Sequence, residues 1–187
     1  MGVCLRNKGK IKESLSYFKK SILVKSDEAL TFFNLALTYQ TLNDLNNSIT
    51  NYQKALELKP DFLEALNNLG NILSDKKEYN LALPLFKKSI KLKPDYDVAH
   101  NNIGIIYGKL GNFELAIIHY KKAVDINPKQ SQTFNNLGNA YQKLGNKINA
   151  EKSYKSALEI NPLFLDRKST LLNSSHRCIS YAVFCLK

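Results

Sequence analysis

Residues 97–130 read DVAHNNIGIIYGKLGNFELAIIHYKKAVDINPKQ, and residues 131–164 read SQTFNNLGNAYQKLGNKINAEKSYKSALEINPLF. Both strings hold Asn-Asn followed by an aliphatic residue and Gly, then Lys-Leu-Gly-Asn, then Ile-Asn-Pro, all in one register. Pro60, Pro94, Pro128 and Pro162 extend that register through the chain at a constant spacing of 34 residues. Four full units follow, 29–62, 63–96, 97–130 and 131–164. Counted from the first residue of each unit, position 7 is Leu35, Leu69, Ile103 and Leu137, and position 8 is Ala36, Gly70, Gly104 and Gly138. Position 11 is Tyr39, Leu73, Tyr107 and Tyr141; position 20 is Ser48, Ala82, Ala116 and Ala150. Position 24 is Tyr52, Phe86, Tyr120 and Tyr154, and position 27 is Ala55, Ser89, Ala123 and Ala157. A period of this length places the fold decision at the level of the repeat, above local propensity.

Positions 4, 7, 8 and 11 share one face of a helix with about 3.6 residues per turn, and positions 20, 24 and 27 share one face of a second. Between them lie Leu42-Asn43-Asp44, Leu110-Gly111-Asn112 and Leu144-Gly145-Asn146, where Asn and Gly tolerate the left-handed backbone that ends a helix. Each unit therefore reads as an antiparallel helical hairpin, with a small residue at position 8 letting its helices approach. One hairpin cannot bury both its faces, so hairpins must stack. The pattern resembles the tetratricopeptide repeat family across 29–164. That resemblance implies an all-α fold, a right-handed superhelical solenoid of antiparallel helix pairs. Pro84 lies near the start of its unit's second helix, so a mild local distortion is expected there.

Residues 1–28 fit the frame from position 7 onward, with Gly2 at position 8, Gly9 at the turn, Ser14 at 20, Phe18 at 24 and Ser21 at 27. A partial repeat with a truncated start is the expectation for this segment. Gly2 could also open a myristoylation pattern, but Arg6 stands where that pattern requires Ser or Thr, which leaves Gly2 as a helix-crossing glycine. After Leu165 the period stops, and 165–187 is expected to be a non-native, unstructured tail. Residues 166–187 resemble the conceptual translation of a short-read sequencing adapter, with Arg177-Cys178 at its variable index and Leu171 departing from its frame.

Of the 187 residues, 44% are apolar, enough for a core and too many for a disordered chain. No apolar stretch matches a signal peptide or a bilayer span, so a cytoplasmic protein without membrane attachment is expected. The formal charge of +11 is carried by lysine, since only Arg6, Arg167 and Arg177 are arginine. Nucleic-acid surfaces favour clustered arginine interleaved with aromatic residues, and that clustering is missing, so no nucleic-acid partner is expected. Cys4, Cys178 and Cys185 lack metal-ligand spacing, and neither a metal site nor a disulfide scaffold is expected. No phosphate-binding loop or nucleophile elbow occurs; the expectation is a non-enzyme with no cofactor and no small-molecule substrate. His100 occupies position 4, filled by Phe32, Leu66 and Phe134 elsewhere, and reads as a packed histidine. His119 has no carboxylate or thiol partner at a useful helical spacing. The tyrosines at positions 11 and 24 read as core fillers with hydroxyls at the edge.

Positions 2, 6, 9 and 13 lie opposite this core face, and in the family resembled that face lines a concave groove. Position 6 is Asn34, Asn68, Asn102 and Asn136, the same residue in all four units. Around it stand Asn71, Gln132, Asn139 and Gln142, and further amides at Asn67, Asn101 and Asn135. A carboxamide offers two donors and an acceptor, so it can pair with the N–H and C=O of an extended peptide without reading its side chains. The column is similar to the asparagine ladder of O-linked N-acetylglucosamine transferase repeats. It implies a scaffold binding an extended segment of a partner protein through Asn34, Asn68, Asn102, Asn136, Asn71, Gln132, Asn139 and Gln142. The alternative is the substrate-recruiting arm of a truncated glycosyltransferase of that kind. Clamping of a chaperone C-terminus, another use of such repeats, needs cations where this chain has Val98, Asn102, Gln132 and Asn136.

Overall fold

A computed structural model of the chain describes residues 1–24 and 27–162. Every regular element among them is an α-helix. The chain divides into two units, one ending at Pro94 and the next beginning at Asp95. The first holds α1 (Gly2–Asn7), α2 (Ile11–Val24), α3 (Ala29–Thr41), α4 (Leu45–Leu58), α5 (Leu63–Asp75) and α6 (Tyr79–Leu92). The second holds α7 (Asp97–Lys109), α8 (Phe113–Ile126), α9 (Ser131–Lys143) and α10 (Lys147–Ile160). The predicted tail, 165–187, and the adapter-like stretch within it lie outside the described residues.

Within the first unit α1 packs on α2, α3 on α4 and α5 on α6, and the pairs join through α2 on α3 and α4 on α5. The second unit follows the same rule, with α7 on α8, α9 on α10, and α8 and α7 reaching α9. The contact that sets each pair is position 8 against position 24. A Cβ placed on Gly2, Gly70, Gly104 or Gly138 would fall within 2.6–2.8 Å of the ring of Phe18, Phe86, Tyr120 or Tyr154 respectively. Hydrogen is therefore the only substituent those crossings accept without movement. Where position 20 is serine its hydroxyl spans the same crossing: Ser48 Oγ donates to the Ala36 carbonyl at 3.0 Å and Ser14 Oγ to the Gly2 carbonyl at 2.9 Å.

The turns repeat as closely. Gly9, Asn43, Lys77, Gly111 and Gly145 all have φ between 59° and 78°, and each is position 15 of the frame. Asp44, Asn112 and Asn146 follow and cap the second helices, accepting from the backbone N–H of Asn47, Leu115 and Asn149 at 3.1–3.2 Å. Lys77 departs from the Gly or Asn preference and Glu78 makes no cap bond. Helix α6 runs unbroken through Pro84. That proline is exposed, so the carbonyl it leaves without an intrahelical donor lies on the watered side.

Candidate functional site

In the first unit the position-24 tyrosine organises the amides. The side chain of Tyr52 is wholly buried, yet its hydroxyl donates to Gln40 Oε1 at 2.9 Å and accepts from Asn68 Nδ2 at 3.3 Å. Gln40 lies on α3, Tyr52 on α4 and Asn68 on α5, so one phenol ties three helices at the position-6 column. Burial pushes its pKa up to about 12, while the Asn68 bond and the charge of Arg6 act in the opposite direction. The ring of Phe33 packs on Tyr52 and Phe62, with centroids 5.8 and 4.7 Å apart.

Asn34, the first member of the column, is buried. Its Nδ2 donates to the Leu30 carbonyl at 2.9 Å. Its own carbonyl and Oδ1 accept from Arg6 Nη1 and Nη2 at 3.1 and 3.4 Å. The amide is thus engaged within the protein on both sides. Asn68 and Asn71 are half-buried on α5.

In the second unit Asn102 and Asn136 are half-buried, and Asn136 Oδ1 accepts from the exposed Gln132 Nε2 at 2.9 Å. The Tyr154 hydroxyl lies 3.0 Å from Gln142 Oε1 and 2.7 Å from Asn139 Oδ1, donating its single proton to one of them at a time. Gln142 and Tyr154 stand at positions 12 and 24, as Gln40 and Tyr52 do. This pairing of two helices through a glutamine and a phenol was signalled in the sequence only by two separate columns. Position 5 behaves differently from position 6: Asn101 Oδ1 on α7 lies 3.2 Å from the Thr133 hydroxyl on α9, which is 2.8 Å from Gln130 Oε1 and donates its single proton to one of them at a time, and Asn67 is buried. The Nδ2 of Asn135 is buried with no hydrogen-bond partner. Burial also pushes the Tyr120 phenol pKa up.

His100 is buried in the α7–α8 hairpin, and its Nδ1 lies 3.2 Å from Nδ1 of His119, whose ring also packs against Tyr107. His119 thus has a partner that helical spacing along its own element does not reveal. One ring must donate and the other accept, which requires at least one neutral imidazole. Among the described residues no group of three or more His, Cys, Asp or Glu side chains is placed to hold a metal ion. Nor is any helix among them long and apolar enough to cross a membrane.

The sequence profile of the Tetratricopeptide repeat matches residues 63–96, 98–130 and 131–164, and a TPR repeat profile matches 41–77. The chain belongs to the tetratricopeptide repeat family. Its fold is that of solved members. A crystal structure of MamA superposes with a TM-score of 0.81 at 26% identity, covering 91% of this chain and 97% of that one. MamA from Desulfovibrio magneticus gives 0.80 at 22% identity, over 87% and 92% of the two chains. YrrB, described as a TPR protein with an unusual peptide-binding site, gives 0.77 at 18% identity, over 91% and 88%. The last two likenesses, at these identities, bear on the fold alone. No curated protein matches the sequence.

Proposed function

We propose that this tetratricopeptide array is a non-catalytic scaffold for protein–protein interaction, and that the faces of its first helices hold the backbone of an extended partner segment. The observation that carries this reading is position 6, asparagine in every full unit, supported in the first unit by the Gln40–Tyr52–Asn68 chain of hydrogen bonds. Such support restricts the rotamers of an amide before a ligand arrives, which lowers the entropy lost on binding. A family relative of the same fold, YrrB, is described as binding peptide. Each amide that pairs with the ligand contributes on the order of 0.5–1.5 kcal/mol net, Asn34 the least because it is buried and already bonded to Leu30 and Arg6, and ordering an extended ligand offsets much of the sum. Weak, sequence-tolerant binding is the expected behaviour.

The test is to select peptides on the chain and then replace Asn34, Asn68, Asn102 and Asn136 together by alanine, measuring affinity beside a melting curve. Binding lost with the fold retained supports the backbone-reading column. Binding unchanged would place recognition on another surface. The asparagine column also supports a second reading, the substrate-recruiting arm of an O-linked N-acetylglucosamine transferase-like enzyme. Recovery of the gene downstream of residue 165 tests it, a Rossmann-like domain there favouring the enzyme.

A further inference from the structure

His100, at position 4 of α7, and His119, at position 23 of α8, are the histidines of residues 1–162. Their ring centroids lie 5.4 Å apart and their Nδ1 atoms 3.2 Å apart, so the distance between centroids is almost entirely the Nδ1–Nδ1 gap plus one ring radius at each end. Each Nδ1 therefore points at the other along its own N–H or lone-pair axis. His100 is 4% exposed, and His119 is half-buried with the ring of Tyr107 against it at 5.8 Å. Two nitrogens aimed head-on hold one proton between them. The neutral pair does so as imidazole donating to imidazole. A single added proton leaves the bond in place, now donated by an imidazolium and charge-assisted. A second puts an N–H on both facing atoms. The hydrogen bond is then gone, and two positive charges stand at contact distance where little water reaches.

The groups around the pair do little to offset that repulsion. On α7 the other ionisable residues are Asp97, Tyr107 and Lys109; on α8 they are Glu114, Tyr120, Lys121, Lys122 and Asp125; on α9, which packs against both, they are Tyr141 and Lys143. Asp97, one turn ahead of His100, favours the first added proton, and its Oδ2 already accepts from Asn127 and Gln130 at 2.8 and 2.6 Å. Glu114 and Asp125 are exposed and stand five residues before and six residues after His119, off its face of α8. The four lysines are exposed and add only positive charge; the phenols carry no charge in acid.

We propose that His100 and His119 form a proton-operated latch on the α7–α8 hairpin, closed while the pair carries no more than one added proton and released when it carries two. The latch is confined to this hairpin. The other full units have Phe32, Leu66 and Phe134 at position 4 and Asn51, Leu85 and Ser153 at position 23, none of which titrates. Because α8 also carries the face on which α9 packs, release loosens the second unit in mild acid and makes any surface it presents to a partner pH-dependent. The inference does not depend on which partner, or which face, the array uses.

A free imidazole takes up its added proton near about pH 6.5. Below that value the open hairpin binds two added protons and the closed pair at most one, so the opening equilibrium gains at least about tenfold for each pH unit. Carboxylates titrate near about pH 4, which leaves the range from about pH 6.5 to 5 to the histidines. The experiment is amide exchange of the full chain, read helix by helix from about pH 7 to 5 and corrected for the intrinsic pH dependence of exchange. Protection in α7 and α8 is expected to fall at least about tenfold per pH unit below about pH 6.5, while α3 and α4 hold theirs. His100→Phe and His119→Asn each install a residue found at the same position of another unit and remove one imidazole. Both should stay closed at neutral pH and lose the acid step, and either suffices if the other fails to fold. Nitrogen-15 spectra of the imidazoles in the unmodified chain add a readout independent of the variants: the closed hairpin should hold one added proton per pair. Two fully protonated rings in a closed hairpin, protection unchanged down to pH 5, or an acid step that persists in either folded variant would overturn the latch.

Discussion

At the residue scale, the tightest constraint is the glycine at position 8. Gly104 shows it well, because a Cβ there would fall 2.7 Å from two carbons of the Tyr120 ring, itself buried. Gly104→Leu should therefore cost about 1–3 kcal/mol or more through overpacking, whereas Lys109→Leu, exposed on the same helix, should cost much less. Thermal melts of the two variants check this, and equal melting temperatures would contradict the packing described. A second residue-scale outcome concerns alkaline pH. The Tyr52 phenol is held protonated to about pH 12, above the value near 10 for a free tyrosine. A raised folded-state pKa means that the associated stability is complete below about pH 10 and is lost as pH rises toward 12. Melting temperature should fall across that window, and Tyr52→Phe should flatten the fall without abolishing it, because Tyr120 is shifted the same way.

At the element scale, the second helices differ in how well they are made. Helices α4, α8 and α10 begin on capping Asp44, Asn112 and Asn146, while α6 begins on Glu78 without a cap bond and contains Pro84. Proline in a helix interior is about 3 kcal/mol less favourable than alanine. Pro84 is exposed, so little packing is lost by removing it. Pro84→Ala should raise the stability of α6 by up to about 3 kcal/mol, read as a higher melting temperature and slower amide exchange in that helix. No gain would show that the backbone of α6 has already adapted to the ring. The helix survives because its inner face, Ala82, Phe86 and Ser89, is buried against α5 and outweighs the single missing bond.

At the scale of the whole molecule, stability is carried by contacts between helices close in sequence. An array built this way unfolds by parts, since each repeat answers chiefly to its neighbours. In the Gly104→Leu variant, amide exchange should rise first in α7 and α8, then in α9, and last in α3 and α4. A uniform rise along the chain would show one cooperative unit instead. Circular dichroism should throughout be dominated by helix, in keeping with the elements of both units.

The repeat, its hairpins and the small-against-aromatic contact at each crossing were determined by the sequence itself, because side-chain size and helical period are local properties. Gly111, Gly145 and Asn43 announced the left-handed turn for the same reason; Lys77, which adopts φ of 63°, announced nothing. The candidate site divides along the same line. That position 6 is always asparagine was legible, but what each asparagine does was decided by its neighbours in space. Asn34 is bonded to Arg6 and Leu30, Asn68 to Tyr52, and Asn136 to Gln132. Likewise His100 meets His119, and Arg6 crosses to α3 where glutamine turns to its own hairpin. A hydrogen bond is made or missed over a few tenths of an ångström. That margin is set by the rotation of one helix against another, and by whether the facing residue is Tyr52 or Phe18.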